Sequence, residues 1–359
     1  MIQEAIAKLA DGGSLTSEEA TTVMTEIMDG QATPAQFGAL VTALRVKGET
    51  VDEITAFAQV MRSKAQPLDT TAEVVDTCGT GGDGSGTFNV STAAAFVVAG
   101  AGQPVAKHGN RAASSRCGSA DVLTELGVKV DLTADQVEQC IERANIAFMF
   151  APVFHPSMRF AAGPRREIAI RTVFNILGPL TNPARPRYQI LGISDPRLLE
   201  NMARALANLG ATHALVVHGH DGLDELSLSG PTDVCELRDG WTTRYQLAPE
   251  DVGLEPAPVA AVRGGDAGEN ATIMRAILAG ESGPRRDIVL LNAAAALYAA
   301  NRTPNIRTGL AMAGDALDSG AAARALDALV EVTNSFEPET PVLTPEAEMY
   351  PPRFLWDVD

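Results

Sequence analysis

The sequence predicts an α/β protein in which a small N-terminal helical domain packs on a larger α/β domain with a mostly parallel central sheet. Three observations carry this expectation. The first 66 residues show only helical periodicity, punctuated by successive capping boxes. From Val74 onward, short β-rich runs alternate with longer helical ones, the order that crossover connections and parallel strands require. The chain has 359 residues, 45% of them hydrophobic, which is enough for one large or two ordinary domains around a real core.

The N-terminal helices announce themselves in turn. Thr16 with Glu19, Thr33 with Gln36 and Thr50 with Glu53 each fit the S/T-x-x-E/Q capping box. Behind them run apolar stripes at helical spacing: Ala20, Val23, Met24, Ile27 and Met28; then Phe37, Leu40, Val41 and Leu44; then Ile54, Phe57, Ala58 and Met61. Gly30 and Gly48 stop the first two, and Pro67 follows the third.

Strands are expected at Val74–Asp76, Pro104–Ala106, Val128–Val130, Ile146–Phe150, Tyr188–Ile193 and Ala214–His218. Helices are expected at Ser91–Ala101, at Thr133–Ala144 and at Pro196–Leu209, the last between Asp195 and Gly210. The stretch His155–Leu177 reads as helical, and Leu226–Leu247 as short antiparallel strands turning at Gly230 and at Asp239-Gly240. Asn270–Phe336 is helical and Ala-rich. The expected division is a helical domain at 1–68, completed by 155–186, and an α/β domain at 69–154 and 187–336. An acidic, Pro-rich tail at 337–359 follows.

Composition excludes several classes. With 28 basic and 45 acidic residues the formal charge is −17, against the basic footprint of a nucleic-acid binder. No apolar run approaches the ~20 residues of a membrane helix. Glu4, Lys8 and Asp11 interrupt the N-terminus, which is unlike a secretory signal. Cys78, Cys117, Cys140 and Cys235 show no CxxC spacing, so reduced thiols in a cytoplasmic protein are expected.

The chemistry-bearing signal begins with GTGGDGSGTFNVST, Gly79–Thr92, straight after a strand. Glycines let the backbone approach a ligand, and the segment ends in Asn89, Ser91 and Thr92 at a helix start, which together make a phosphate cradle. Gly79, Gly81 and Gly84 also satisfy GxGxxG, but no acid stands at 100–105 for a dinucleotide ribose, and no Walker lysine follows. The second segment, Lys107–Asp121, places Lys107, Arg111 and Arg116 among Asn110, Ser114, Ser115 and Ser119, again after a strand. From Lys107 to Arg171 nine basic residues face seven acidic ones, a local reversal suited to an anion. In the third, Asp221, Asp224 and Glu225 offer hard oxygen ligands for Mg²⁺ bridging a pyrophosphate. His218 and His220 form an HxH pair there with no further histidine following. In the fourth, Arg159–Arg171, one arginine suits a substrate carboxylate.

These segments, with NILGPLTNP at Asn175–Pro183, resemble the anthranilate phosphoribosyltransferase family from the N-terminal helices to Phe336. The pyrimidine nucleoside phosphorylases share the architecture but carry a Lys-x-Ser-x-x-Arg arrangement missing here. The resemblance implies a homodimer through the helical domain and an interdomain cleft for phosphoribosyl pyrophosphate (PRPP), Mg²⁺ and anthranilate. Carried over, Gly79, Gly82, Asp83, Thr87, Asn89, Val90, Ser91 and Thr92 would contact PRPP. So would Lys107, His108, Gly109, Asn110, Arg111, Ala112, Ala113, Ser114, Ser115 and Ser119. Gly79, Asn110 and Arg165 would hold anthranilate, and Ser91, Asp224 and Glu225 would serve Mg²⁺. Pro164 and Arg166, flanking Arg165, depart from the family's usual small aliphatic residue and lysine. The implied reaction moves the phosphoribosyl group onto the anthranilate amine, a step in tryptophan biosynthesis. Lys107 is expected to steady the leaving pyrophosphate, and His108 to take the proton.

Overall fold

A computed structural model describes residues 1–112 and 116–337. Ala113, Ser114 and Ser115 of the basic segment, and the tail from residue 338, lie outside the described residues.

Four helices open the chain: α1 (Ile2–Ala10), α2 (Ser17–Met28), α3 (Pro34–Lys47) and α4 (Val51–Lys64). All three expected capping boxes close, with the Thr16, Thr33 and Thr50 hydroxyls accepting from the N–H groups of Glu19, Gln36 and Glu53. The predicted apolar stripes are buried as one core with Leu9, Ala161, Phe174 and Leu177.

The α/β part follows as β1 (Val75–Gly79), α5 (Val90–Gly100), β2 (Val105–Gly109), α6 (Ser119–Glu125), α7 (Ala134–Ala144) and β3 (Ile146–Phe150). Then α8 (Ala151–Phe154), α9 (Arg159–Ile168) and α10 (Phe174–Leu177) return to the helical bundle, where α9 meets α2 and α3 and α10 meets α4. β4 (Tyr188–Gly192), α11 (Leu199–Asn208), β5 (His213–Gly219), β6 (Thr232–Arg238) and β7 (Trp241–Leu247) complete the sheet. Five helices finish the described chain: α12 (Pro249–Val252), α13 (Ala267–Leu278), α14 (Pro284–Ala299), α15 (Ile306–Asp318) and α16 (Ala321–Ser335).

The strands lie in the order β3-β2-β1-β4-β5-β6-β7. The first five are mutually parallel, and β6 and β7 continue antiparallel. Asp239 and Gly240 join β6 to β7 with φ of 49° and 86°, the positive pair a two-residue type I′ turn needs. Side chains alternate across the sheet: Leu215 and Val217 face the core beneath α5 and α14, while Ala214 and Val216 face α11 and the helical bundle. Close helix approach comes from small residues. A Cβ on Gly100 of α5 would sit 2.6 Å from the Ala322 nitrogen of α16.

One expected strand does not form. Val128 and Val130 are buried, but the segment is a loop against α16, where Lys129 N–H donates to Thr333 Oγ1 at 3.2 Å. Alternating burial there comes from packing on a helix rather than from a ladder. Leu226–Pro231 is also irregular, and the antiparallel hairpin starts only at Thr232. Pro196–Leu198 forms a 3₁₀ turn ahead of α11, with Asp195 accepting from Arg197 N–H.

Candidate active site

The connections reverse direction between β1 and β4, so the carboxyl ends of these two strands open the crevice where α/β sheets bind ligands. Gly79 and Gly192 are paired there at the last ladder position. Asp224 lies across both. A Cβ at Gly79 would strike its carboxylate, and one at Gly192 its carbonyl oxygen. The strand-end glycines therefore let the acidic turn close over the sheet edge. Gly192 does not stand out in the sequence, where it reads as an interior residue of the Tyr188–Ile193 run; a glycine inside a strand pattern is the signal of close backbone approach.

Beyond Gly79 the chain runs through Gly81, Gly82, Gly84 and Gly86, all at φ between 65° and 74°. At Gly82 a side chain would collide with the Arg171 guanidinium, which donates from Nη1 to Gly81 O at 2.8 Å. The cradle's donors are held by the acid pair. Gly81 N–H donates to Asp224 Oδ2 at 2.6 Å, and Ser91 N–H, at the N-terminus of α5, donates to Glu225 Oε1 at 3.2 Å. Burial, then the nearby Asp83, pushes the Asp224 pKa up to about 6. Burial, then Asp224, drives Glu225 well above the carboxylate range, with Lys107 opposing. Two desolvated acids facing backbone N–H groups form a site that wants positive charge.

Lys107, buried at the middle of β2, reaches across to β1 and α5. Its Nζ donates to Thr77 O and to Ser91 Oγ, the latter at 3.2 Å. Thr77 Oγ1 in turn bonds Ser91 O at 2.9 Å. Gly79, Ser91, Lys107, Asp224 and Glu225, drawn from three sequence segments, thus meet at one point. Val90 and Thr92 turn their side chains into the core, and their N–H groups bond Phe88 O and Asn89 O, so Ser91 alone offers its N–H to the acid pair.

The basic loop is tied by Asp121. Its carboxylate accepts from Arg111 Nη1 at 3.1 Å, Ala112 N–H at 2.9 Å and Gly118 N–H at 2.8 Å. Ser119 Oγ donates to Asn110 O at 3.3 Å and lies against Gly109. Thr87 bridges to Arg263, and Asp83 accepts from the Ser85 hydroxyl. His108 is buried with its ring 5.0 Å from that of His155. Burial, then His155, holds its pKa well below the usual value, and its Nε2 has no partner among the described residues. Arg165 stands on α9, which accommodates Pro164 internally, with its guanidinium 5.6 Å over the Phe174 ring. No hydrogen bond or ion pair joins it to Gly79 or Asn110 among the described residues.

The third segment splits. Asp221 is spent on its own turn, accepting from Leu223 N–H at 3.1 Å and from the Ser227 and Ser229 hydroxyls. His218 bonds Ile193 O at 2.8 Å while His220 faces Asp233 at 3.2 Å, so the HxH pair does not converge. No group of three or more His, Cys, Asp or Glu able to hold a metal by itself occurs among the described residues. A cleft of about 310 Å³ opens beside the loop between Thr80, Gly82, Asp83 and Ser194 of the α/β part and Arg45, Glu49 and Arg171 of the helical part.

Comparison with known proteins matches residues 3–65 to the helical bundle domain and residues 71–323 to the a/b domain of a glycosyl transferase family. The anthranilate phosphoribosyltransferase of Pelotomaculum thermopropionicum is 57% identical over 93% of this chain and 97% of its own. The crystal structure of anthranilate phosphoribosyltransferase from Thermus thermophilus superposes with a TM-score of 0.88 at 46% identity, covering 92% and 99%. That of the Saccharomyces cerevisiae enzyme in complex with PRPP and Mg superposes with 0.86 at 29% identity, covering 93% and 98%.

Proposed function

The chain belongs to the glycosyl transferase family with helical-bundle and a/b domains, and within it to the anthranilate phosphoribosyltransferases; from this we propose how its cleft transfers the phosphoribosyl group of PRPP to the amine of anthranilate. The products are N-(5-phosphoribosyl)anthranilate and pyrophosphate. The observation that carries the site assignment is the convergence of Gly81 N–H, Ser91 N–H, Lys107 Nζ and the Asp224–Glu225 pair at the β1/β4 crevice.

In this reading the Gly79–Thr92 loop and the Lys107–Ser119 loop bind PRPP. The N–H groups of Gly81 and Ser91 pass from the acid pair to phosphate oxygens, and Lys107 turns to the departing pyrophosphate, where charge builds in the transition state. Gly79, Asn110 and Arg165 hold anthranilate, with the guanidinium on its carboxylate and the amine in line with the anomeric carbon. An aromatic amine is already neutral near pH 7 and needs no base before attack. His108 is the group this reading assigns to take the proton; burial, then His155, keeps its imidazole neutral beforehand and makes it a weak base. Ser91 Oγ and the desolvated Asp224 and Glu225 carboxyls would hold Mg²⁺ through hard oxygen atoms. When bound, the ion supplies charge that offsets that of the leaving pyrophosphate.

We place the reaction in the cytoplasm, in keeping with four cysteines of which none is in a disulfide. The homodimer through the helical bundle is supported by a groove lined by Leu9 of α1 and by Gly38, Ala39, Thr42, Ala43 and Val46 of α3, with Val46 83% exposed. Val46→Arg is expected to convert a dimer to monomers in light scattering, and an unchanged dimer rejects this face. The functional test is loss of anthranilate fluorescence with PRPP and Mg²⁺. A folded protein that leaves anthranilate unchanged but phosphorolyses thymidine or uridine overturns the reading in favour of a nucleoside phosphorylase.

A further inference from the structure

Asn89 stands at the N-cap of α5, a position where asparagine ordinarily accepts a hydrogen bond from the N2 or N3 amide of its own helix. Here it makes no such bond. Its Oδ1 accepts instead from Asn270 Nδ2 at 3.0 Å and from Cys117 Sγ at 3.3 Å, and its Nδ2 donates to Cys117 O at 3.4 Å. Asn270 lies in α13, outside the four chemistry-bearing segments of the sequence. It is 1% exposed, and its Oδ1 accepts from Gly265 N–H at 2.8 Å.

The residues before α13 run as a strap along the glycine-rich loop. Gly264 N–H donates to Gly86 O at 2.9 Å, Phe88 N–H donates to Val262 O at 3.3 Å, and Thr87 bridges to Arg263. Contact is close enough that a Cβ on Gly264 would sit 2.6 Å from Phe88 N. The strap fixes where Asn270 sits, and Asn270 draws the Asn89 carboxamide away from the helix end. The consequence is chemical. The Ser91 N–H, at the second position of α5, is left without a side-chain cap from its own chain neighbour and meets Glu225 instead. It stays available to an anion at the positive end of the helix.

We propose that Asn270 is a positioning residue for PRPP, one that prevents Asn89 from capping α5 and so keeps the Ser91 amide open to the pyrophosphate. This rests on the assignment of the loop to PRPP made above. Loss of Asn270 leaves the longer bonds to Cys117, at 3.3 and 3.4 Å, to hold Asn89 off the helix end, and Asn89 then turns to Ser91 N–H, which gives a competing internal bond that PRPP must displace.

The test is steady-state kinetics of Asn270→Ala and Asn270→Asp in the full chain. The aspartate variant retains an acceptor for Gly265 N–H and loses the donor to Asn89, which covers the case in which the alanine variant fails to fold. Because the competing cap is worth about one hydrogen bond, the KM for PRPP is expected to rise about tenfold. The KM for anthranilate should stay within about twofold, and kcat within about threefold, because the reacting atoms are untouched. The new cap should also limit the fall in melting temperature, unlike the loss of a merely structural residue. An active parent together with a folded variant whose PRPP KM is unchanged, or whose two KM values rise equally, overturns the proposal. A parent that consumes no anthranilate overturns the functional reading instead.

Discussion

On α9 the Arg165 guanidinium is largely withdrawn from water, and that burial pushes its pKa down without a carboxylate partner among the described residues to offset it. A desolvated cation over an aromatic ring is poised for an anion that arrives with the substrate. Arg165→Ala should therefore raise the KM for anthranilate by roughly ten- to a hundredfold, the worth of a charge-assisted bond, with a far smaller change for PRPP. Equal effects on both substrates in a kinetic assay would contradict the assignment. Asp224 makes a second prediction. Its pKa rises from 3.8 to about 6 in the folded chain, so between about pH 4 and pH 6 the unfolded chain releases a proton that the folded chain keeps. Stability from this group thus falls as pH rises through that window, by roughly 3 kcal/mol, and stays lost above it. Asp224→Asn should be no more stable than the parent near pH 4 and clearly more stable above pH 6, as measured by urea unfolding without Mg²⁺. A stability difference that does not change with pH would show that Asp224 is not held this way.

At the scale of elements, local signals were legible wherever one residue's chemistry sufficed. The capping boxes at Thr16, Thr33, Thr50 and Thr133 all form, and Ile146–Phe150 is the strand expected of it. The glycine-rich loop and the acid pair, which the fold brings together, stand out in the sequence because they gather glycines, hydroxyls and carboxylates in fixed order. What failed was pairing. Val128–Val130 has a strand's composition, but no neighbouring strand reaches it, and α16 takes the apolar side chains instead. Asn270 and Gly192 escaped notice because their partners, Asn89 and Asp224, are remote in sequence, and only the closed sheet edge brings them together. Gly192 carries the next prediction. A methyl there meets the Asp224 carbonyl oxygen, which is backbone, whereas at Gly79 it meets first the end of the Asp224 side chain, which can swing aside. Gly192→Ala should cost about 1–3 kcal/mol of stability and displace the acidic turn, and Gly79→Ala should cost less while still harming PRPP use. Thermal unfolding of the two variants decides it: a Gly192 variant as stable as the parent would show that the turn does not close on the strand end.

Across the whole molecule, the helical bundle and the sheet must keep a fixed relation, since Arg45 and Glu49 line the same cleft as the glycine loop. Much of that relation passes through Arg62, on α4. Its Nε donates to Leu180 O at 2.7 Å, and its Nη1 to Leu209 O at 2.9 Å. Leu209 is the C-cap of α11, so a half-buried cation sits at the negative end of that helix dipole. Burial, with the nearby Arg185 adding to it, lowers the Arg62 pKa to about 10, which still leaves it charged at neutral pH. One side chain therefore pins the bundle, the turn before β4 and the helix packed under β5 and β6. Arg62→Met keeps most of the apolar stem but removes both charge-assisted bonds and strands two carbonyls. A loss of about 3 kcal/mol in urea unfolding is expected, with the KM of both substrates raised together because the cleft loosens as a unit. That shared rise separates the clamp from Arg165, whose loss should act mainly on anthranilate. If Arg62→Met unfolds with the parent's midpoint and binds both substrates as the parent does, the bundle is held to the sheet by apolar packing, and the carbonyls find water instead.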